Sequence, residues 1–227
     1  MANALYYGDN LAVLRESVPN ESVDLIYLDP PFNSQASYNV LFRNPTGEQS
    51  QAQIEAFEDT WHWNDAAEFA FDDVMRSGNT HAAEMLRAMR SFLKENDMMA
   101  YLAMMAARLL ELHRVLKPTG SLYLHCDPTA GHYLKILLDA IFHIGNFRNE
   151  ISWRRSNPKS HGSINFSNCR DTIFRYTKSG EFTFNKVFGE HDRAYIEKAY
   201  KYNDTKGRYR LLPLLNPNDN RPNHSLA

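Results

Sequence analysis

The stretch "VDLIYLDPPFNSQASYN", Val23 to Asn39, decides how the chain is read. Leu25, Ile26, Tyr27 and Leu28 make a short apolar run, the pattern of a strand buried on both faces of an α/β sheet. Asp29 ends the run. A residue before proline is pushed out of the helical region, so Asp29 and Pro30 are both extended and form a stiff shelf. Neither Pro30 nor Pro31 has an N–H, so nothing local competes for the Asp29 carboxylate, and the Pro30 carbonyl is left seeking a donor. Two acceptors side by side suit a neutral amino group with two N–H bonds to give, and Phe32 just beyond can hold a flat ring by stacking. A strand-to-loop turn with incidental prolines is the other reading of the same residues.

Upstream, "ALYYGDNLAVLRESVPNES" reads as a strand over Ala4–Tyr7, a turn at Gly8, a helix over Asn10–Val18 and a Pro-Asn turn, which completes a β-α-β unit. Asp9 stands where it can cap that helix. Downstream, Asn33 to Gly78 is polar and aromatic with little periodicity, and reads as an insertion over a site. Two helices follow. Thr80–Glu95 carries Leu86, Met89 and Leu93 on one face, and Asp97–Leu116 carries Leu102, Met105, Leu109, Leu112 and Leu116. A strand over Ser121–Asp127 comes next, then a helix with Tyr133, Ile136, Leu137, Ala140 and Ile141 inward. "NEISWRRS" and "TIFRYTK" read as antiparallel strands, the second joined to "EFTFN" by a tight hairpin at Ser179-Gly180. A catalytic part over residues 1–187, with the insertion at 33–78, and a second region over 188–227 are the expected divisions.

Composition narrows the function. The 227 residues are 43% hydrophobic, and the longest apolar run, Met98 to Ala107, is too short to span a bilayer. Cys126 and Cys169 lie far apart without metal or redox spacing, and the nine histidines form no ligand cluster, so a reducing cytoplasm and no metal are expected. The charge is divided. Residues 1–147 hold 10 Lys and Arg against 19 Asp and Glu, whereas residues 148–227 hold 15 against 8, so the C-terminal third is the part that faces a polyanion.

Together these segments resemble the permuted, amino-methylating DNA methyltransferases of restriction-modification type, in which the catalytic half precedes the cofactor half. "YYGDNLAVL" is similar to the segment whose acid lies near the adenosine of S-adenosylmethionine, "DLIYLDPPF" to the catalytic strand, and "LHRVLKPTGSLYLHCD" and "FRNEISWRR…DTIFRYTKS" to later parts of the sheet. The resemblance implies a Rossmann-like α/β methyltransferase sheet with a C-terminal antiparallel hairpin. It implies S-adenosylmethionine as cofactor, held by Asp9, Asn10 and Asp29, and Asp29, Pro30, Pro31 and Phe32 as the catalytic set. It implies double-stranded DNA as partner, with Asn33, Arg154, Arg155 and Lys159 toward the nucleic acid and residues 188–227 as the start of a target-recognition region. One departure stands out. The family's glycine loop has no counterpart, because no Gly-x-Gly occurs among the ten glycines. The first cofactor strands are therefore expected to be missing, their loop supplied by a further C-terminal part or a second polypeptide.

The amine of a base is a poor nucleophile because its lone pair is delocalised. Acceptors on both hydrogens let the nitrogen pyramidalise, and they reach it only after the nucleotide flips out of the duplex. Adenine N6 is the first expectation and cytosine N4 the alternative, since both amines fit the same acceptors. A DNA-binding subunit without catalysis of its own, and an amine methylase acting on RNA or protein, also stay open. Methylation at cytosine C5 needs a thiolate, and neither cysteine follows a proline as in that family. Trp61 and Trp63 read as packing or as a cap on a flipped base, and His125 and Asp127 as polar-network residues.

Overall fold

The computed structural model describes residues 3–31, 37–40, 54–58, 61–155, 169–187, 189 and 192–212. Asp9 caps the first helix, α1 (Asn10–Ser17), its Oδ1 accepting from the Leu11 N–H at 2.9 Å. After the Pro19-Asn20 turn comes β1 (Val23–Leu28), and β2 (Ser37–Val40) and β3 (Ile54–Glu58) form a separate antiparallel pair. Three helices follow: α2 (Asp65–Arg76), α3 (Thr80–Leu93) and α4 (Asp97–Val115). Each opens on an asparagine whose side chain accepts an otherwise orphaned N–H: Asn64 from Ala67, Asn79 from Ala82, Asn96 from Met99. The chain then passes through β4 (Leu116–Cys126), α5 (Gly131–Phe142), β5 (Phe147–Arg154) and β6 (Arg170–Thr177).

The main sheet has the order β1-β4-β6-β5, with β1 parallel to β4 and β6 antiparallel to both its neighbours. Ile26 and Leu28 lie opposite Leu122 and Leu124 and pack with them onto the helical core, in which Leu102, Met105, Leu109 and Leu112 of α4 are central. Gly120 lets β4 approach β1 closely. A Cβ there would lie 2.7 Å from the Leu116 side chain and 3.0 Å from the Asp24 carbonyl oxygen. At the far side of the core the Tyr176 hydroxyl, wholly buried, donates to Asp139 Oδ1 at 2.5 Å.

A second unit, Phe184–Ala227, contains α6 (Arg193–Ala199) and a two-stranded ribbon of β7 (Tyr202–Asp204) and β8 (Gly207–Tyr209). Tyr202 and Tyr209 stack across that ribbon at 5.6 Å between ring centroids.

Several expectations are corrected. β1 is not buried on both faces: Leu25 and Tyr27 are 58% and 55% exposed, because the described helices cover only the face carrying Ile26 and Leu28. Ala4–Tyr7 is not a strand, since a strand needs a partner's ladder and no described strand pairs with it. The stretch 33–78 is not insertion throughout. Residues 65–76 form α2, which buries Ala67, Ala70, Phe71 and Val74 in the core. The inward face of α5 is Leu134, Leu137, Leu138, Ile141 and Phe142, leaving Ile136 43% exposed; a helix apolar on most sides does not reveal its buried face by periodicity. "EFTFN" makes no hairpin with β6. Both edges of β6 are already filled by β4 and β5, so Thr183 N–H instead donates to the Thr119 carbonyl at 3.1 Å.

Candidate active site

Asp29 leaves β1 at its C-terminal end, and the two prolines carry the chain away from the sheet as an extended shelf. Pro30 is buried, while the Asp29 side chain is 59% exposed. α1 enters from the other side, and its capping residue Asp9 and first residue Asn10 face the same opening. Gly8, Asp9, Asn10, Leu28, Asp29, Pro30, Pro31, Trp61, Met104, Met105 and Arg108 together line a pocket of about 390 Å³. That volume falls in the range of small-molecule sites. Five sequence-predicted residues, Asp9, Asn10, Asp29, Pro30 and Pro31, are thus brought to one cavity from segments twenty residues apart. Phe32, Asn33 and Lys159 lie outside the described residues.

The pocket has two kinds of wall. Leu28, Trp61, Met104 and Met105 supply apolar and polarizable surface, against which a flat ring can lie. Asp9, Asn10 and Asp29 supply oxygen acceptors. Trp61 also packs tilted on Tyr101, with 6.1 Å between centroids, so the packing role and the pocket role coincide in one ring.

Arg108 is the pocket residue that sequence reading missed. It reaches across from α4, donating from Nη2 to Asp9 Oδ1 at 2.8 Å and from Nε to Asn10 Oδ1 at 2.8 Å, and to its own helix at the Met104 carbonyl. The signal was present as a lone arginine inside the apolar run of α4, a residue seldom buried without a partner. Asp9 both caps α1 and pairs with Arg108, so the structural reading of that acid holds together with its place in the pocket wall.

The two arginines at the end of β5 part company. Arg154 is exposed, beside Arg170 in the strand register. Arg155 turns inward and grips buried Asp171 with Nε on Oδ2 and Nη2 on Oδ1, its backbone N–H closing onto the Cys169 carbonyl at 2.8 Å. Its guanidinium is committed to a carboxylate rather than presented for phosphate. Cys126, in the core-facing row of β4, is buried; burial, with Asp127, Asp171 and Glu150 adding negative charge, pushes its thiol up to about 12. A thiol so disposed is no nucleophile at neutral pH.

Residues 23–225 match the DNA methylase family N6_N4_Mtase. The chain is 26% identical over 218 residues to the type II methyltransferase M.EcaI of Enterobacter cloacae, with 96% of this chain and 38% of that protein covered. It is 28% identical over 217 residues to the Mod subunit of the type III restriction-modification enzyme StyLTI of Salmonella typhimurium, covering 93% and 29%. Among solved structures it is similar to the PvuII DNA methyltransferase (cytosine-N4-specific), at 16% identity and a TM-score of 0.43, over 78% of this chain and 49% of that one. The chain therefore spans less than two fifths of the length of either curated relative.

Proposed function

Since the chain belongs to the DNA methylase family N6_N4_Mtase, we propose that it provides the amine-activating carboxylate and one wall of the cofactor pocket of an S-adenosylmethionine-dependent DNA methyltransferase, acting first on adenine N6. The observation that carries this reading is the shared cavity, in which the Asp29-Pro30-Pro31 shelf and the Asp9-Asn10 pair face one space. The residues suit the cofactor. Apolar Leu28, Met104, Met105 and Trp61 fit a flat heterocycle, and Asp9, Asn10 and Asp29 are acceptors for hydroxyl and amino groups and favourable neighbours for a cationic sulfur.

S-adenosylmethionine, when bound, supplies an electrophilic methyl group. The protein's part is to prepare the nucleophile. The Asp29 carboxylate accepts one N–H of the flipped base and the Pro30 carbonyl accepts the other, which draws the nitrogen out of conjugation and leaves its lone pair pointing away from both acceptors. As positive charge develops on that nitrogen, the Asp29 carboxylate is the group beside it that stabilises it. Phe32 is assigned to stacking on the extruded base, and Arg154, Asn33 and Lys159 to the nucleic acid. The glycine loop absent from the sequence is assigned to a further segment or a second polypeptide, and β1, paired among the described residues only with β4, keeps an edge for added strands.

The test is transfer of radiolabelled methyl to unmethylated DNA, by this chain alone and by this chain with a glycine-loop segment supplied in cis or as a second polypeptide. Nucleoside digestion then separates N6-methyladenine from N4-methylcytosine. Asp29→Ala is expected to abolish transfer while DNA affinity stays within a few-fold, because phosphate contacts supply most of that affinity. DNA binding with no methyl transfer by either wild-type protein would leave a non-catalytic binding role instead.

A further inference from the structure

Asp29 has an anchoring problem that its own sequence creates. A carboxylate at the end of a strand is ordinarily pinned by backbone N–H groups one and two residues on, as in an Asx turn. Here both of those residues are proline, and neither has an N–H to give. With more than half of the side chain exposed, the carboxylate needs a donor from elsewhere in the fold.

β4 provides one. Leu122, Leu124 and Cys126 point to the helical core, so strand alternation puts Tyr123 and His125 on the opposite face. Leu124 is in register with Leu28, the residue before Asp29, which sets His125 beside the carboxylate. His125 Nδ1 lies 3.2 Å from Asp29 Oδ1, and Nε2 lies 3.5 Å from Asp171 Oδ2. Asp171 is 5% exposed by its side chain and is gripped by Arg155, whose Nε bonds the same Oδ2. The four residues form a file, Arg155, Asp171, His125, Asp29, that ends at the pocket.

We propose that His125 is a positioning residue for Asp29. An ionised carboxylate only accepts, so Nδ1–H donates to Oδ1, which leaves Oδ2 as the oxygen free to receive the amine N–H. This rests on the reading of Asp29 as the amine acceptor. It goes further in assigning which oxygen does the work and which side chain keeps it aimed.

The experiment compares His125→Ala, His125→Asn and His125→Gln in the methyl-transfer assay, with an NMR arm on wild type and Asp29→Asn labelled with 15N in the imidazole rings. His125→Ala should lower kcat by about tenfold to a hundredfold, the scale of misplacing a reacting group, with KM for DNA and cofactor little changed. The asparagine amide nitrogen occupies the place of Nδ1 and should restore most of the rate. Glutamine, whose amide reaches the Nε2 position, should not. In the NMR arm the His125 Nδ1–H resonance should move on Asp29→Asn. Equal rates for all three variants, a wild-type kcat for His125→Ala, or a His125 resonance indifferent to Asp29→Asn would overturn the proposal. If wild-type protein transfers no methyl, the functional reading fails; the NMR arm, which needs no change at His125, then still decides whether the contact exists.

Discussion

Arg108 on α4 donates to Asp9 at the start of α1 across 99 positions of sequence, at 2.8 Å, with its side chain only 14% exposed. The same guanidinium holds Asn10, so one cation fixes both residues with which α1 enters the pocket. Arg108→Leu should loosen that wall. The concentration of S-adenosylmethionine at half-saturation is expected to rise by about tenfold, the equivalent of one charge-assisted hydrogen bond, with little change in kcat. Isothermal titration and initial-rate kinetics measure both; an unchanged affinity would make the Arg108–Asp9 pair a tie between helices and nothing more.

Arg154 and Arg155 are neighbours in sequence, yet the structure gives them opposite tasks. Arg154→Gln should leave folding untouched and reduce the slope of log affinity against log salt by about one, as expected for a single phosphate contact. Arg155→Gln strips a buried carboxylate of its partner. It should instead lower the melting temperature, at a cost of about 3–5 kcal/mol for breaking a buried pair. Salt-dependent DNA binding and thermal denaturation of the two variants separate these roles, and interchangeable behaviour would refute the division.

The residues that could be read from sequence were those whose chemistry is local. Asp29, Pro30 and Pro31 declare a constrained shelf through proline stereochemistry alone, and α4 shows its buried face because Leu102, Met105, Leu109 and Leu112 repeat at helical spacing. What escaped was set by distant partners. Arg108 pairs with Asp9 and His125, read from sequence only as a polar-network residue, lies against Asp29, each on another element, and no periodicity marks such pairings. α2 was obscured because only four small or apolar positions, Ala67, Ala70, Phe71 and Val74, carry its buried face amid acidic residues. β1 misled for the opposite reason: four apolar residues in a row imply two covered faces, whereas Leu25 and Tyr27 lie on the face that no described helix covers.

The two thiols should behave differently. Cys169 is exposed, and Cys126 is buried with its thiol pushed up to about 12, so roughly one part in ten thousand of Cys126 is thiolate at pH 8. Iodoacetamide at that pH should modify Cys169 in the native protein and reach Cys126 only after denaturation, as peptide mass spectrometry would show. Rapid native alkylation of Cys126 would reopen thiolate chemistry at the end of β4.

His113, in the last turn of α4, packs edge-on against Phe142 at 5.0 Å. Burial holds its imidazole below the ordinary histidine range of 6.5, and Lys178 adds to the lowering while Glu21 opposes it. Above 6.5 the ring is neutral in both the folded and unfolded states, and this site's contribution to stability is fully present. As pH falls below that value, the unfolded chain takes up a proton that the folded protein refuses, so stability is lost until the folded ring protonates too. The melting temperature should therefore decline between pH 7.5 and 5 more steeply in wild type than in His113→Gln, whose side chain carries no charge at either pH. Parallel pH profiles for the two proteins would show that the imidazole is hydrated in solution and that the contact with Phe142 does not exclude water.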